Sequence, residues 1–162
     1  MQLIRYIHRY EQAGFRSNRS CTDQIATLRT IIEQSVEWQS SLYINFVDFE
    51  RAFDSVNREG LWQLLRPYGI PTQIVNIIKA LYEDFTVQVI HDSSFNNPFH
   101  VNTGVKQEYM LSPTLFLIAI DWVTKKALDT TQRDIQWNFV QRLEYLDFAD
   151  ELALLSHNHR TP

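Results

Sequence analysis

The chain has 162 residues, 44% of them hydrophobic and 13% aromatic, which suits one domain with a buried core and argues against a disordered polymer. Its formal charge is -4, from 15 basic and 19 acidic residues, so bulk charge gives no footprint for nucleic acid, whose phosphates call for clustered Lys and Arg. The one cysteine, Cys21, excludes an internal disulfide and a cysteine-built zinc site and suits a reducing interior compartment; no apolar run approaches signal-peptide or membrane-spanning length.

The first thirty residues are locally basic, with Arg5, Arg9, Arg16, Arg19 and Arg29 against Glu11 and Asp23. Residues 12–20 read as a loop of small residues and two arginines, able to fold over a phosphate or simply solvated. Thr22 is the expected N-cap of a helix running to about Trp38, with Ile25, Leu28, Ile31, Ile32 and Val36 on one core-packing face. Leu42–Asp48 is rich in β-branched and aromatic residues and predicts a buried strand ending in an acid. Asp48 either caps the next helix or belongs to a site, and Glu50 and Asp54 crowd the same region.

Asn57 can cap a helix carrying Leu61, Trp62, Leu64 and Leu65, closed by Pro67 and Gly69. Pro71 opens another, with Ile74, Ile77, Ile78 and Leu81 on one face. Strands are expected over Thr86–His91 and about Phe99–Thr103, joined by the polar turn 92–98. A loop over 104–113 leads into an apolar helix, Thr114–Leu128, and a polar link through Arg133 reaches a final strand pair.

That pair carries Tyr145-Leu146-Asp147-Phe148-Ala149-Asp150-Glu151-Leu152, with the paired carboxylates at the turn. Like charges side by side repel unless water or cations compensate. The turn is either a solvated hairpin tip or a place for magnesium, which takes one or two carboxylates plus substrate phosphates. The element order (helix, strand, helices, hairpin, helix, hairpin) suits an α+β domain with an antiparallel sheet backed by helices. If the strands bearing Asp48 and Asp150 pair, their acids meet. Acids from separate strands holding two cations about 3.5–4 Å apart are what two-metal phosphoryl transfer requires.

Four blocks then carry a resemblance. Val47-Asp48-Phe49-Glu50-Arg51-Ala52-Phe53-Asp54-Ser55-Val56 resembles the first catalytic motif of reverse transcriptases, nearest to those of non-LTR retrotransposons. Gln12-Ala13-Gly14-Phe15-Arg16 with Cys21-Thr22-Asp23-Gln24-Ile25 is similar to their fingers region. Gly104-Val105-Lys106-Gln107 with Leu111-Ser112-Pro113 resembles the loop along template and nucleotide, and Phe148-Ala149-Asp150-Glu151 resembles the hairpin in which the family has Ala-Asp-Asp. Together the blocks span residues 12–155 in the family's order.

The resemblance implies a right-hand polymerase fingers–palm fold without the thumb, as one partial domain over 1–162. Fingers-like parts would cover about 1–41 and 57–103, and palm-like parts about 42–56 and 104–156. It implies RNA-directed DNA synthesis: a primer 3′-hydroxyl attacks the α-phosphate of a deoxynucleotide and pyrophosphate leaves. Asp48 and Asp150 would ligate two Mg2+ ions (or Mn2+), helped by the Phe49 carbonyl, with Glu151 as the third acid. Phe53 would stack under the incoming sugar and exclude a 2′-hydroxyl. Arg16 would contact triphosphate or template, and Gln107 template or nucleotide. The partners implied are an RNA template, a DNA primer and deoxynucleotides, inside the cell in nucleus or cytoplasm, with no membrane.

The chain departs from the pattern at Glu151 where the family has Asp, at Glu108 where it has Gly, and in ending soon after the catalytic hairpin. One more methylene at 151 disturbs a metal that demands near-ideal geometry, and a side chain with negative charge at 108 crowds a phosphate loop. The expectation is therefore little or no polymerase activity. The rival readings are a non-catalytic palm-fold binding or scaffold protein, and a decayed element copy.

Overall fold

The computed structural model describes residues 13–15, 18–107, 109–128, 135–136, 142–143 and 145–157. In chain order its elements are helix α1 (Cys21–Glu37), strand β1 (Tyr43–Asp48), helices α2 (Ala52–Ser55), α3 (Arg58–Leu65) and α4 (Thr72–Tyr82), and the short strands β2 (Thr86–Val87), β3 (Ile90–His91), β4 (Ser94–Phe95) and β5 (Phe99–His100). Helix α5 (Ser112–Leu128) and strands β6 (Ile135–Gln136), β7 (Arg142–Leu143), β8 (Tyr145–Phe148) and β9 (Glu151–Ser156) follow. This is an α+β chain whose strand pairs, among the described residues, are all antiparallel. The described residues divide into two compact units, one over Arg51–Ala119 and the other over those up to Glu50 and from Ile120 onward.

The second unit is built on a three-stranded sheet in the order β1-β9-β8. Period-two alternation sends Leu146, Ala153 and Leu155 to one face, where they pack with Ile31 of α1 and Leu143, and Leu28, Leu42 and Ile44 close around them. The helix starts two residues earlier than its sequence suggests. Ser20, not Thr22, is the N-cap, and Ser20 and Asp23 bond reciprocally to each other's backbone in a capping box. Only part of the expected apolar face of α1 is buried: Ile31 is and Leu28 is half-buried, while Ile25 (61%), Ile32 (42%) and Val36 (73%) stay exposed. Strand β1 is likewise half-exposed rather than buried, with Phe46 70% exposed, because among the described residues it has β9 as neighbour on one side only. At the opposite edge the Asp147 carbonyl accepts from the Ala13 N–H (3.0 Å) and the Gln24 amide (3.3 Å), which blunts the free edge of β8.

In the first unit Asn57 caps α3 as its position suggests, its side-chain oxygen accepting from Gly60 N–H at 2.7 Å. Leu61, Trp62 and Leu65 are buried, and the helix closes through Gly69 at φ 84. Helix α4 follows Pro71, but the residues it buries are Val75, Ile78 and Tyr82; Ile74, Ile77 and Leu81 are exposed. The predicted hairpin is two ladders, β2 with β5 and β3 with β4. Between them the Asn96 side chain takes the Val89 N–H at 2.6 Å, substituting for a ladder bond. The turn is Asp92-Ser93, both at positive φ (48 and 61), a two-residue loop rather than the seven residues expected.

Candidate active site

Strand pairing, not proximity in sequence, assembles the acids. The antiparallel register sets Asp48 at the end of β1 directly opposite Glu151 at the start of β9. Beyond that pair one more bond continues the ladder, Phe49 N–H donating to the Asp150 carbonyl at 3.4 Å. Asp150 occupies the two-residue turn Ala149-Asp150 between the partners Phe148 and Glu151. Thus Asp48, Phe49, Asp150 and Glu151 come to one end of one sheet. Asp48 and Glu151 are exposed and Asp150 is half-buried.

Directly opposed residues of an antiparallel pair hold their Cβ atoms roughly 5 Å apart, where like charges destabilise the pair. The turn beside them is also strained. Ala149 sits at φ 59, a left-handed conformation that costs a non-glycine residue of order 1–3 kcal/mol and persists where surroundings enforce it. Asp48 and Glu151 also line a cavity of ≈ 350 Å³ between α1 and the sheet, with Cys21, Gln24, Phe46 and Phe148.

Among the described residues no three His, Cys, Asp or Glu side chains gather closely enough to cage a metal ion by themselves. A zinc or calcium cage does not fit such an end. Magnesium does, since it usually keeps waters and takes one or two carboxylates while substrate phosphates supply the rest. An opposed acid pair with a third acid beside it matches that demand.

Of the other predicted site residues, Phe53 and Gln107 lie in the first unit, where a loop is docked onto helix α2. Gly104 N–H donates to Val56 O at 2.9 Å and Val105 N–H to Phe53 O at 2.8 Å. The Gln107 amide donates to Asp54 Oδ1 at 3.1 Å. The Phe53 ring stacks on Phe116, centroids 4.5 Å apart. Phe53 and Gln107 are therefore brought together through Asp54. Gly104 explains the closeness: at φ +76, a Cβ there would fall 2.7 Å from the Asp54 Cα and carbonyl oxygen. Arg16 and Glu108 lie outside the described residues.

Arg58 was not legible as part of this assembly. Its guanidinium donates to the carbonyls of Gly104 (2.7 Å), Val101 (2.7 Å) and Thr103 (2.9 Å) and lies over the Tyr82 ring at 5.0 Å. Burial pushes its pKa below the ordinary arginine value, opposed by the charge interaction with Tyr82. One signal was available: Arg58 stands directly after an N-cap, where the helix dipole disfavours a cation, so some non-local partner has to compensate.

The sheet end of the second unit thus presents an acid pair across two strands and a third acid in a strained turn, and the first unit presents a glycine-tight loop against Phe53 and Asp54. The profile of the family described as reverse transcriptase (RNA-dependent DNA polymerase) matches residues 2–161, and the chain belongs to that family. It is 31% identical over 110 residues to the retrovirus-related Pol polyprotein of the type-2 retrotransposable element R2DM of Drosophila melanogaster, covering 68% of this chain and 10% of that protein. Against the corresponding polyprotein of the R2 element of Popillia japonica it is 28% identical over 109 residues, 67% of this chain and 18% of that protein. A probable RNA-directed DNA polymerase from transposon BS of Drosophila melanogaster matches at 28% over 107 residues, 66% and 12% respectively. The chain thus spans less than a fifth of the length of these relatives. It is a reverse transcriptase domain of the non-LTR retrotransposon type.

Proposed function

We propose that the chain carries fingers and palm parts of an RNA-directed DNA polymerase, and that its chemistry is magnesium-dependent nucleotidyl transfer, attenuated by Glu151. The single observation that carries this reading is the Asp48–Glu151 register with Asp150 in the adjoining turn, in a chain of this family. Left alone, that arrangement is electrostatically unfavourable; a divalent cation makes it favourable.

In this reading Asp48 and Asp150 hold the metal, the Phe49 carbonyl assists, and Glu151 is the outer acid. Bound magnesium supplies Lewis-acid charge neutralisation at the phosphates. The chain's own part is positioning, which dominates phosphoryl transfer. Asp48 is fixed by the β1–β9 ladder and Asp150 by the turn and its bond to Phe49. To Phe53 we assign discrimination at the sugar and to Gln107 contact with template or nucleotide. Phe53 is steadied by Phe116, and Gln107 by Asp54. Arg16 is proposed to reach triphosphate or template. An RNA template with a DNA primer and deoxynucleotides are the proposed partners, and the fingers-like and palm-like division suggested by the sequence is retained as part of this proposal.

Primer extension on an RNA template with magnesium tests the assignment. Extension is expected to be weak, abolished by Asp48→Ala, and raised by Glu151→Asp, since a misplacement of about 1 Å costs on the order of a hundredfold in rate. Robust extension that ignores Asp48→Ala would overturn it.

A further inference from the structure

We propose that Arg58 is a positioning residue: its guanidinium holds the 101–107 loop in the shape that presents Gln107. The inference rests on the reading of Gln107 as a template- or nucleotide-contacting residue.

One cation spans the carbonyls of Val101, Thr103 and Gly104 at 2.7–2.9 Å. Bonds with an ionised donor are roughly twice as strong as neutral ones, and the planar fork fixes direction as well as distance. These donors are engaged with backbone oxygens, so Arg58 acts on the loop and not as a phosphate ligand. The face of the guanidinium lies 5.0 Å from the Tyr82 centroid and 5.8 Å from that of Phe85. The same two rings receive Lys106, whose Nζ is 4.3 Å from the Phe85 centroid and 5.3 Å from that of Tyr82. Lys106 Nζ also donates to the Leu81 carbonyl at 2.8 Å, and its N–H to the Tyr82 hydroxyl at 3.4 Å.

The loop is therefore gripped at both ends around one buried tyrosine, Arg58 at 101–104 and Lys106 immediately before Gln107. Between the grips, Gly104 and Val105 bond to the backbone of Val56 and Phe53. Releasing Arg58 frees three carbonyls at the point where the chain passes within van der Waals contact of Asp54, the partner of Gln107. A lysine at 58 keeps the charge but, as a point donor, does not span three acceptors.

The test uses the full chain with Arg58→Met, Arg58→Lys and Gln107→Ala. Amide hydrogen exchange is read at Gly104 and Val105, with Val75 in α4 as the reference for global stability. Binding of magnesium–dTTP is measured in parallel by calorimetry. Arg58→Met and Arg58→Lys are expected to speed exchange at Gly104 and Val105 by about tenfold or more while Val75 is unchanged. They are expected to weaken dTTP binding about tenfold, with Gln107→Ala adding nothing further in the Arg58→Met background, the mark of two residues acting through one contact. Unchanged exchange at Gly104 and Val105, full rescue by Arg58→Lys, or additive effects of the two substitutions would each overturn the proposal. If Gln107→Ala leaves dTTP binding intact while Arg58→Met still frees the loop, Arg58 keeps its hold on the loop and the reading of Gln107 fails instead.

Discussion

At the scale of single residues, the acids were legible and their supports were not. Asp48 reads as an acid at a strand end and Asp150-Glu151 as carboxylates at a turn, because alternation and turn chemistry are local properties of the sequence. That Asp48 faces Glu151 itself, with Phe49 bonded to Asp150, is a matter of register, which the sequence leaves open. Arg58 and Tyr82 act through long-range contacts with no local periodicity, so they were passed over, and Asp54 was noted only as an acid crowding Asp48. Gly104 was read as part of a motif, but its necessity comes from the backbone of Asp54 lying against it. Gly104→Ala is expected to cost more than about 1 kcal/mol, since alanine at positive φ strains the backbone and its Cβ here meets main chain with no flexible end to yield. Urea unfolding monitored by circular dichroism measures it; an unchanged midpoint would contradict the close approach.

Among the elements, existence was easier to read than facing. Among the described residues the helices α1, α3, α4 and α5 fall where periodicity, Asn57 and Pro71 suggest, yet of the faces expected α1 fully buries only Ile31 and α4 only Ile78. Both helices carry apolar residues on two adjacent stripes. In α4, Ile74, Ile77 and Leu81 compete with Val75, Ile78 and Tyr82, and which set is covered depends on a tertiary partner. Tyr82 wins because its hydroxyl has partners in Lys106 N–H and Ser112, and a buried tyrosine needs one. The acidic hairpin was read correctly as two strands and a turn, but its strain was not visible in the letters. Ala149 holds a positive φ in a two-residue turn whose geometry favours glycine. Ala149→Gly is therefore expected to raise stability by roughly 1 kcal/mol, moving the melting temperature upward by roughly 2–4 °C for a chain of this size. Differential scanning calorimetry reads it directly; a lower Tm would show that the turn is not under strain.

For the whole molecule, an acidic chain belongs to a family that works on nucleic acid, so recognition cannot rest on overall charge. In the proposed function it rests on local chemistry: an end of a sheet suited to a divalent cation, and a loop fastened by Arg58 and Lys106. The α+β class and the family were both accessible from sequence because four separated blocks keep their order over nearly the full length. The division into two compact units was not, since it follows from which segments contact one another.

The most direct test of the central claim is a calorimetric titration of the chain with a deoxynucleoside triphosphate, in magnesium and in chelator. Saturable heat in magnesium that disappears in chelator, and disappears equally with Asp48→Ala and with Asp150→Asn, is the predicted result. Binding that proceeds unchanged in either variant would show that the acids brought together by strands β1 and β9 hold no metal for the nucleotide.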